Sequence, residues 1–128
     1  MSVSPEHGIV NLSSPHSVEQ TVRRLVGVLE QAGMTMFARI DQQGAAEAVG
    51  LTMPPMTLIL FGNPRAGTPL MQAYPTLAID LPLKALVWED PDGRVWVSMN
   101  SPEYLRQRHT MADAPFLGVQ TLVERVLK

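Results

Sequence analysis

The segment Gly62-Asn63-Pro64-Arg65-Ala66-Gly67-Thr68-Pro69 carries the strongest hint of ligand chemistry in this 128-residue chain. A glycine-containing loop between a buried strand and a helix start offers free backbone N–H groups at the positive end of a helix dipole, and Arg65 adds a cation. Together they suit a small anion such as a carboxylate or phosphate. The segment lacks the Gly-x-x-x-x-Gly-Lys-Ser/Thr spacing of a P-loop and any Gly-x-Gly-x-x-Gly run. The competing interpretation is therefore a rigid connection in which Gly supplies φ and Thr68 caps the next helix.

Asp41, Asp80, Lys84 and Glu89 lie at strand ends or in otherwise apolar stretches. Asp80, followed by Leu81-Pro82, is the carboxylate to watch, because a carboxyl beside an apolar wall is a candidate general acid or base. The alternative is a cap, or a salt bridge to Lys84 or Arg65. His7, His16 and His109 are far apart and no His-Glu-x-x-His occurs, so neither a metal site nor a cofactor is expected. No Gly-x-Ser-x-Gly signature supports a serine hydrolase. Arg106 and Arg108 beside His109 read as a solvated helix face. Of the eight methionines, Met34 and Met36 fall on an inward strand face, where thioethers fill gaps in a core rather than hold copper.

Composition narrows the classes further. The formal charge is −2 and the ten basic residues are scattered, so no field exists to attract a nucleic-acid backbone. Zero cysteines removes disulfides, thiolate metal sites and a cysteine nucleophile. No apolar run reaches the roughly 18 residues of a membrane span. Met1 to His7 lacks the basic and apolar regions of a signal peptide, so a cytoplasmic location is expected. One domain over residues 1–128 is expected, with 1–7 as a flexible N-terminus. Hydrophobic residues make up 45% and charged residues 17%, which leaves apolar surface for a second subunit to bury, so a homodimer is the expected assembly.

These residues need elements to hold them. Gly8 to Leu12 reads as a strand, and Ser17 with Gln20 three positions on opens a helix carrying Val18, Val22, Leu25, Val26 and Leu29 at helical spacing up to Gly33. Met34 to Ile40 alternates as a half-buried strand with Met34, Met36, Ala38 and Ile40 inward. Asp41 caps a short helix over 43–49, and the six apolar residues Met56 to Phe61 form a central strand covered on both faces. After the 62–69 loop, Thr68 caps a helix starting at Pro69 and ending at Pro75. Lys84 to Glu89 and Arg94 to Met99 pair through the tight turn Asp90-Pro91-Asp92-Gly93. Ser101-Pro102-Glu103 opens a short helix, and a last helix starts near Pro115 with Phe116, Val119, Val123, Val126 and Leu127 on one stripe. Trp88 and Trp96 lie in the hairpin, placed either to cover a helix edge or to meet a second copy.

The order is β-α-β, three more strands with short helical inserts, then α. That is an α+β chain, a two-layer sandwich with a largely antiparallel sheet and helices on one face.

Between Phe37 and His109 stand Phe37-Ala38-Arg39-Ile40-Asp41, Phe61 through Met71, Asp80-Leu81-Pro82-Leu83-Lys84, Val87-Trp88-Glu89-Asp90 and Ser101-Pro102-Glu103-Tyr104-Leu105, in that order. Through these pieces the chain resembles the bacterial domain-of-unknown-function family 302. The resemblance implies a β-α-β(4)-α sandwich of TATA-box-binding-protein-like architecture, commonly a dimer. It implies no activity and no nucleic-acid binding, since fold does not carry function. Gln42 stands where the family typically has His, and Met99 where it has Tyr.

The residues thus point first to a non-enzymatic, dimeric domain that binds a small anionic ligand or a partner through Gly62, Asn63, Arg65, Gly67 and Thr68, with Asp41, Asp80 and Lys84 nearby. The rivals are an enzyme with Asp80 or Asp41 as general acid/base, and a purely structural dimeric scaffold.

Overall fold

The computed structural model describes residues 2–4 and 7–128. The chain forms an antiparallel six-stranded sheet in the order β1-β2-β6-β5-β4-β3. Its strands are β1 Ser2–Ser4, β2 Ile9–Ser14, β3 Thr35–Asp41, β4 Met56–Gly62, β5 Leu83–Glu89 and β6 Val95–Asn100. The helices are α1 Val18–Gln31, α2 Gln42–Ala48, α3 Pro64–Ala73, α4 Pro102–Arg108 and α5 Leu117–Val126, with a 3-10 turn over Pro75–Ile79. The α+β, two-layer expectation holds. The flexible N-terminus expected over 1–7 falls partly on residues outside the described set; within it, Ser2–Ser4 pair with Ile9–Asn11.

Local chemistry explains the best-signalled elements. The Ser17 hydroxyl accepts the Gln20 N–H at 3.1 Å, satisfying one of the unpaired donors at the start of α1. At the other end Gly33 takes a φ of +83° while Met34 N–H reaches back to the Leu29 carbonyl, closing the helix. The hairpin turns at Asp90, whose carboxylate accepts N–H groups from Asp92 and Arg94 and the indole N–H of Trp96.

Strand alternation then sorts the sheet into two faces. Leu12, Val97, Val87, Ile59 and Phe61 point toward α1 and α5, whose Leu25, Leu29 and Val123 are fully buried. Each such side chain contributes about 1.5–3 kcal/mol relative to exposure. Arg24 fastens the two helices by donating to the carbonyls of Val126, the last residue of α5, and of Lys128 beyond it.

Several expectations change. β4 is interior to the sheet, but helices cover one of its faces only; Leu58 and Leu60 stay half-buried on the other, beside Leu86 and Trp88. The tryptophans pair directly across β5 and β6 on that open face. Met34, just before β3, and Met36 within it are partly buried, whereas Ala38 and Ile40 lie exposed, because a bulge between Met36 and Ala38 shifts the register of this edge strand.

The largest change concerns 62–69. This stretch is the start of α3, not a loop. Asn63 is the N-cap, Pro64 follows at the first helical position, and Thr68 and Pro69 lie inside the helix. Thr68 caps nothing. Pro64 fits the first helical position, whereas Pro69 lies inside the helix and cannot donate to the Arg65 carbonyl; Asn63 supplies the cap that Thr68 was expected to give.

Candidate functional site

Gly62, Asn63 and Gly67 come together on the wall of a cavity of about 340 Å³ between the end of β4, α3 and α5. Such a volume lies at the lower end of small-molecule sites, about 300–1,000 Å³. The rest of the wall is apolar, from Met34, Phe37, Leu70, Leu81, Pro82 and Phe116 among others, and among the described residues no charged side chain lines it. The β3 bulge aims Phe37 this way, so that its ring edge would lie 3.5 Å from a Cβ added at Gly62.

The two glycines are not required by their backbone. Neither Gly62 nor Gly67 has a positive φ, contrary to the expectation that glycine here supplies unusual dihedrals. A Cβ at Gly67 would meet Leu81 Cδ1 at 3.8 Å, an ordinary contact. What the missing side chains leave is space. Inside a helix that space costs about 1 kcal/mol relative to alanine.

The anion cradle expected at this segment is absent. Arg65 N–H donates to Asn63 Oδ1 at 3.0 Å, and the N–H groups of Ala66 and Gly67 donate to the Asn63 carbonyl at 3.0 and 2.7 Å. Arg65 and Thr68 are exposed and do not line the cavity. Lys84 pairs with Leu60 on the open face of the sheet, pointing opposite to buried Ala85.

The carboxylates separate. Asp41 is exposed at the N-terminus of α2, where Oδ1 accepts the Gly44 N–H at 2.9 Å, the cap its sequence position implied. It borders a second hollow, of about 780 Å³, with Arg23, Arg39, Glu19 and Glu89. Charges of both signs line that hollow, so no single polarity prevails. Asp80, by contrast, is buried at 6% exposure, directly before Leu81 and Pro82 of the cavity wall.

The partner of Asp80 is neither Lys84 nor Arg65. His109, which follows α4, places Nε2 at 2.5 Å from Asp80 Oδ2, with 4% of its side chain exposed, and Arg108 Nε lies 3.4 Å from the same oxygen. The solvated face expected for this cluster is confined to Arg106, paired with Glu103, and to Arg108. The Tyr104 hydroxyl, and after it the Asp80 carboxylate, push the Arg108 pKa up. Beyond the pair, His109 Nδ1 lies 3.2 Å from Thr76 Oγ1, which is exposed. Neither His109 nor Thr76 carried a signal that sequence reasoning could use, because 29 and 33 residues separate the bonded partners. The apolar cavity wall was equally silent, since its side chains look like any core. Among the described residues no group of three or more His, Cys, Asp or Glu could hold a metal ion.

A family model described as a domain of unknown function, DUF302, matches residues 10–128. The chain belongs to the DUF302 family. The crystal structure of an uncharacterised conserved DUF302 protein from Bacillus stearothermophilus superposes on this DUF302 chain with a TM-score of 0.79. It covers 94% of this chain and 95% of the other at 17% identity, a likeness of fold. Among curated proteins, the fluoride-specific ion channel FluC 1 of Brucella suis biovar 1 (strain 1330) is 41% identical over 118 residues. The fluoride-specific ion channel FluC 1 of Brucella abortus biovar 1 (strain 9-941) matches at the same identity. The match covers 92% of this DUF302 chain but 46% and 44% of those relatives, so the chain spans less than half of their length. Among the described residues, no helix is long and apolar enough to cross a membrane.

Proposed function

We propose that this DUF302 domain binds a small apolar molecule in the cavity walled by Gly62, Gly67, Leu81 and Phe116. The observation that carries the reading is the pair of glycines at ordinary dihedrals, one of them inside a helix, whose missing side chains hold an apolar space open. An empty apolar cavity lowers stability through lost contacts, so a chain that keeps one gains from a ligand that fills it. The neutral wall and the internally bonded N–H groups favour an uncharged or apolar-ended ligand over a small anion. Native mass spectrometry of the isolated protein, followed by denaturing extraction, tests this: a bound organic molecule that Gly67→Leu protein lacks is expected. Identical spectra for the two proteins would defeat it.

The open sheet face supports a second copy as partner. Leu58, Leu60, Leu86, Trp88 and Trp96 form a half-buried apolar surface with no helix over it, the kind of patch that marks an interface. A homodimer through this face is expected to give twice the monomer mass by light scattering at micromolar concentration, and Leu86→Lys to restore the monomer. A wild-type monomer would remove it.

In the FluC relatives, ion conduction needs membrane-spanning helices or a closed barrel. The open sheet and short helices here supply neither among the described residues.

A further inference from the structure

We propose that Thr76, His109 and Asp80 form a nucleophilic relay, with the Thr76 hydroxyl as acyl acceptor for esters that carry an apolar acyl chain. The acyl-chain part rests on the cavity reading above; the relay itself does not.

The geometry is a continuous line of hydrogen bonds. Asp80 is an acceptor when ionised, so His109 Nε2 carries the hydrogen donated to Oδ2. That assignment leaves a lone pair on Nδ1, 3.2 Å from Thr76 Oγ1, ready to take the hydroxyl proton. The buried carboxylate fixes the tautomer and steadies the imidazolium, the role an orienting acid plays in any such relay. The imidazole edges are used in the order opposite to the familiar one, which geometry permits because the relay is defined by roles. Of the three side chains, the hydroxyl at the outer end is exposed, while Asp80 and His109 are shielded at 7% and 4%. A neutral imidazole held by a buried carboxylate, with a hydroxyl aligned on its free nitrogen, is the arrangement a general base requires.

Backbone strain at the same place is a second observation. Thr110, immediately after His109, holds a φ of +52°, rare for a β-branched residue and costing about 1–3 kcal/mol. A left-handed residue at this position is the usual closure of a helix, taken here by threonine in place of glycine. Here it ends α4 so that Met111 N–H reaches the Arg106 carbonyl while the ring of His109 turns inward.

The substrate class rests on the cavity next along the chain: Leu81 and Pro82, directly after Asp80, and Leu70 and Met71, shortly before Thr76, belong to its apolar wall, while Thr76, Asp80 and His109 lie outside that lining. In the acylation step, Thr76 Oγ1 bonds to the ester carbonyl carbon, and its proton passes to His109 Nδ1. The bond to the alkoxy oxygen breaks, and that oxygen takes the proton to leave as alcohol. Water then attacks acyl-Thr76, giving a proton through His109 back to Oγ1 and releasing the carboxylic acid. Asp80 accepts the Nε2 hydrogen throughout.

The test compares hydrolysis of p-nitrophenyl octanoate and p-nitrophenyl acetate by the wild type, Thr76→Ser and Thr76→Val, with peptide mass mapping for an acyl group on Thr76. Thr76 is exposed, so an unchanged melting temperature will show that Thr76→Val is folded. The expected result is an acyl adduct on Thr76, octanoate preferred, activity kept by Thr76→Ser and lowered by about 100-fold in Thr76→Val. Equal rates for wild type and Thr76→Val, whether measurable or nil, overturn the relay. Equal rates on the two esters overturn the substrate class. Binding in the cavity is read separately by the extraction experiment, so the two readings fail independently.

Discussion

Asp41 and Asp80 look alike in the sequence, each an aspartate at the edge of an apolar stretch, and the fold gives them opposite lives. Asp41 is exposed and its partner is Gly44, three residues on. Asp80 is buried and its partners, His109 and Arg108, come from another element. A local partner stabilises one helix end; a distant one ties the 3-10 turn to the end of α4. The difference teaches that the chemistry available to a carboxylate here depends on what tertiary packing brings to it.

That contrast can be broken by substitution. Asp80→Ala leaves His109 and Arg108 facing an empty acceptor, and removal of one member of a buried pair is expected to lower stability by about 3 kcal/mol in urea unfolding. Asp41→Ala loses one helix cap and is expected to cost about 1 kcal/mol in the same measurement. Equal costs would mean that the buried pair contributes no more than a cap. Thr110→Gly relieves the positive φ beside His109 and is expected to gain about 1 kcal/mol.

A third aspartate sharpens the comparison through pH. Asp90 is held below the ordinary carboxylate range, chiefly by the Trp96 indole N–H; desolvation opposes it as the next-largest effect, and the backbone N–H groups of Arg94 and Asp92 add smaller lowering contributions. Its folded value is depressed, so its contribution is complete above the unfolded value and is lost as pH falls through the folded one. Melting temperatures followed from about pH 5 to about pH 2 are expected to fall less steeply in Asp90→Asn than in the wild type. Glu103, lowered by Arg106, keeps some slope in both. An unchanged slope would show that the Asp90 bonds do not persist in solution.

What could be read from the sequence follows the same division between local and distant. Ser17, Gly33, Asp41, Gly93 and Ser101 act through neighbours within five residues, and the elements they cap or turn lie where their spacing implied. The 62–69 segment misled because its second proline looked like a helix start, while Asn63 had already capped one turn earlier. Gly62, Asn63 and Gly67 belong to the cavity wall through the room they leave rather than through free N–H groups, and Asp80 stands just before that wall. Arg65, Thr68 and Lys84 were marked for charge or hydroxyl, and the backbone turns them elsewhere. His109 was hidden because a histidine between arginines resembles a wet helix face until its buried partner is known.

The claim most open to decision is that the glycine-walled cavity takes an apolar ligand. Titration with the neutral probe N-phenyl-1-naphthylamine, followed by its fluorescence, addresses it in wild-type and Gly67→Leu protein of matched melting temperature. Saturable binding at one site per chain, lost when leucine fills the space, is the expected result. Equal binding by both proteins, or no saturable binding to ligand-stripped wild type, would contradict it.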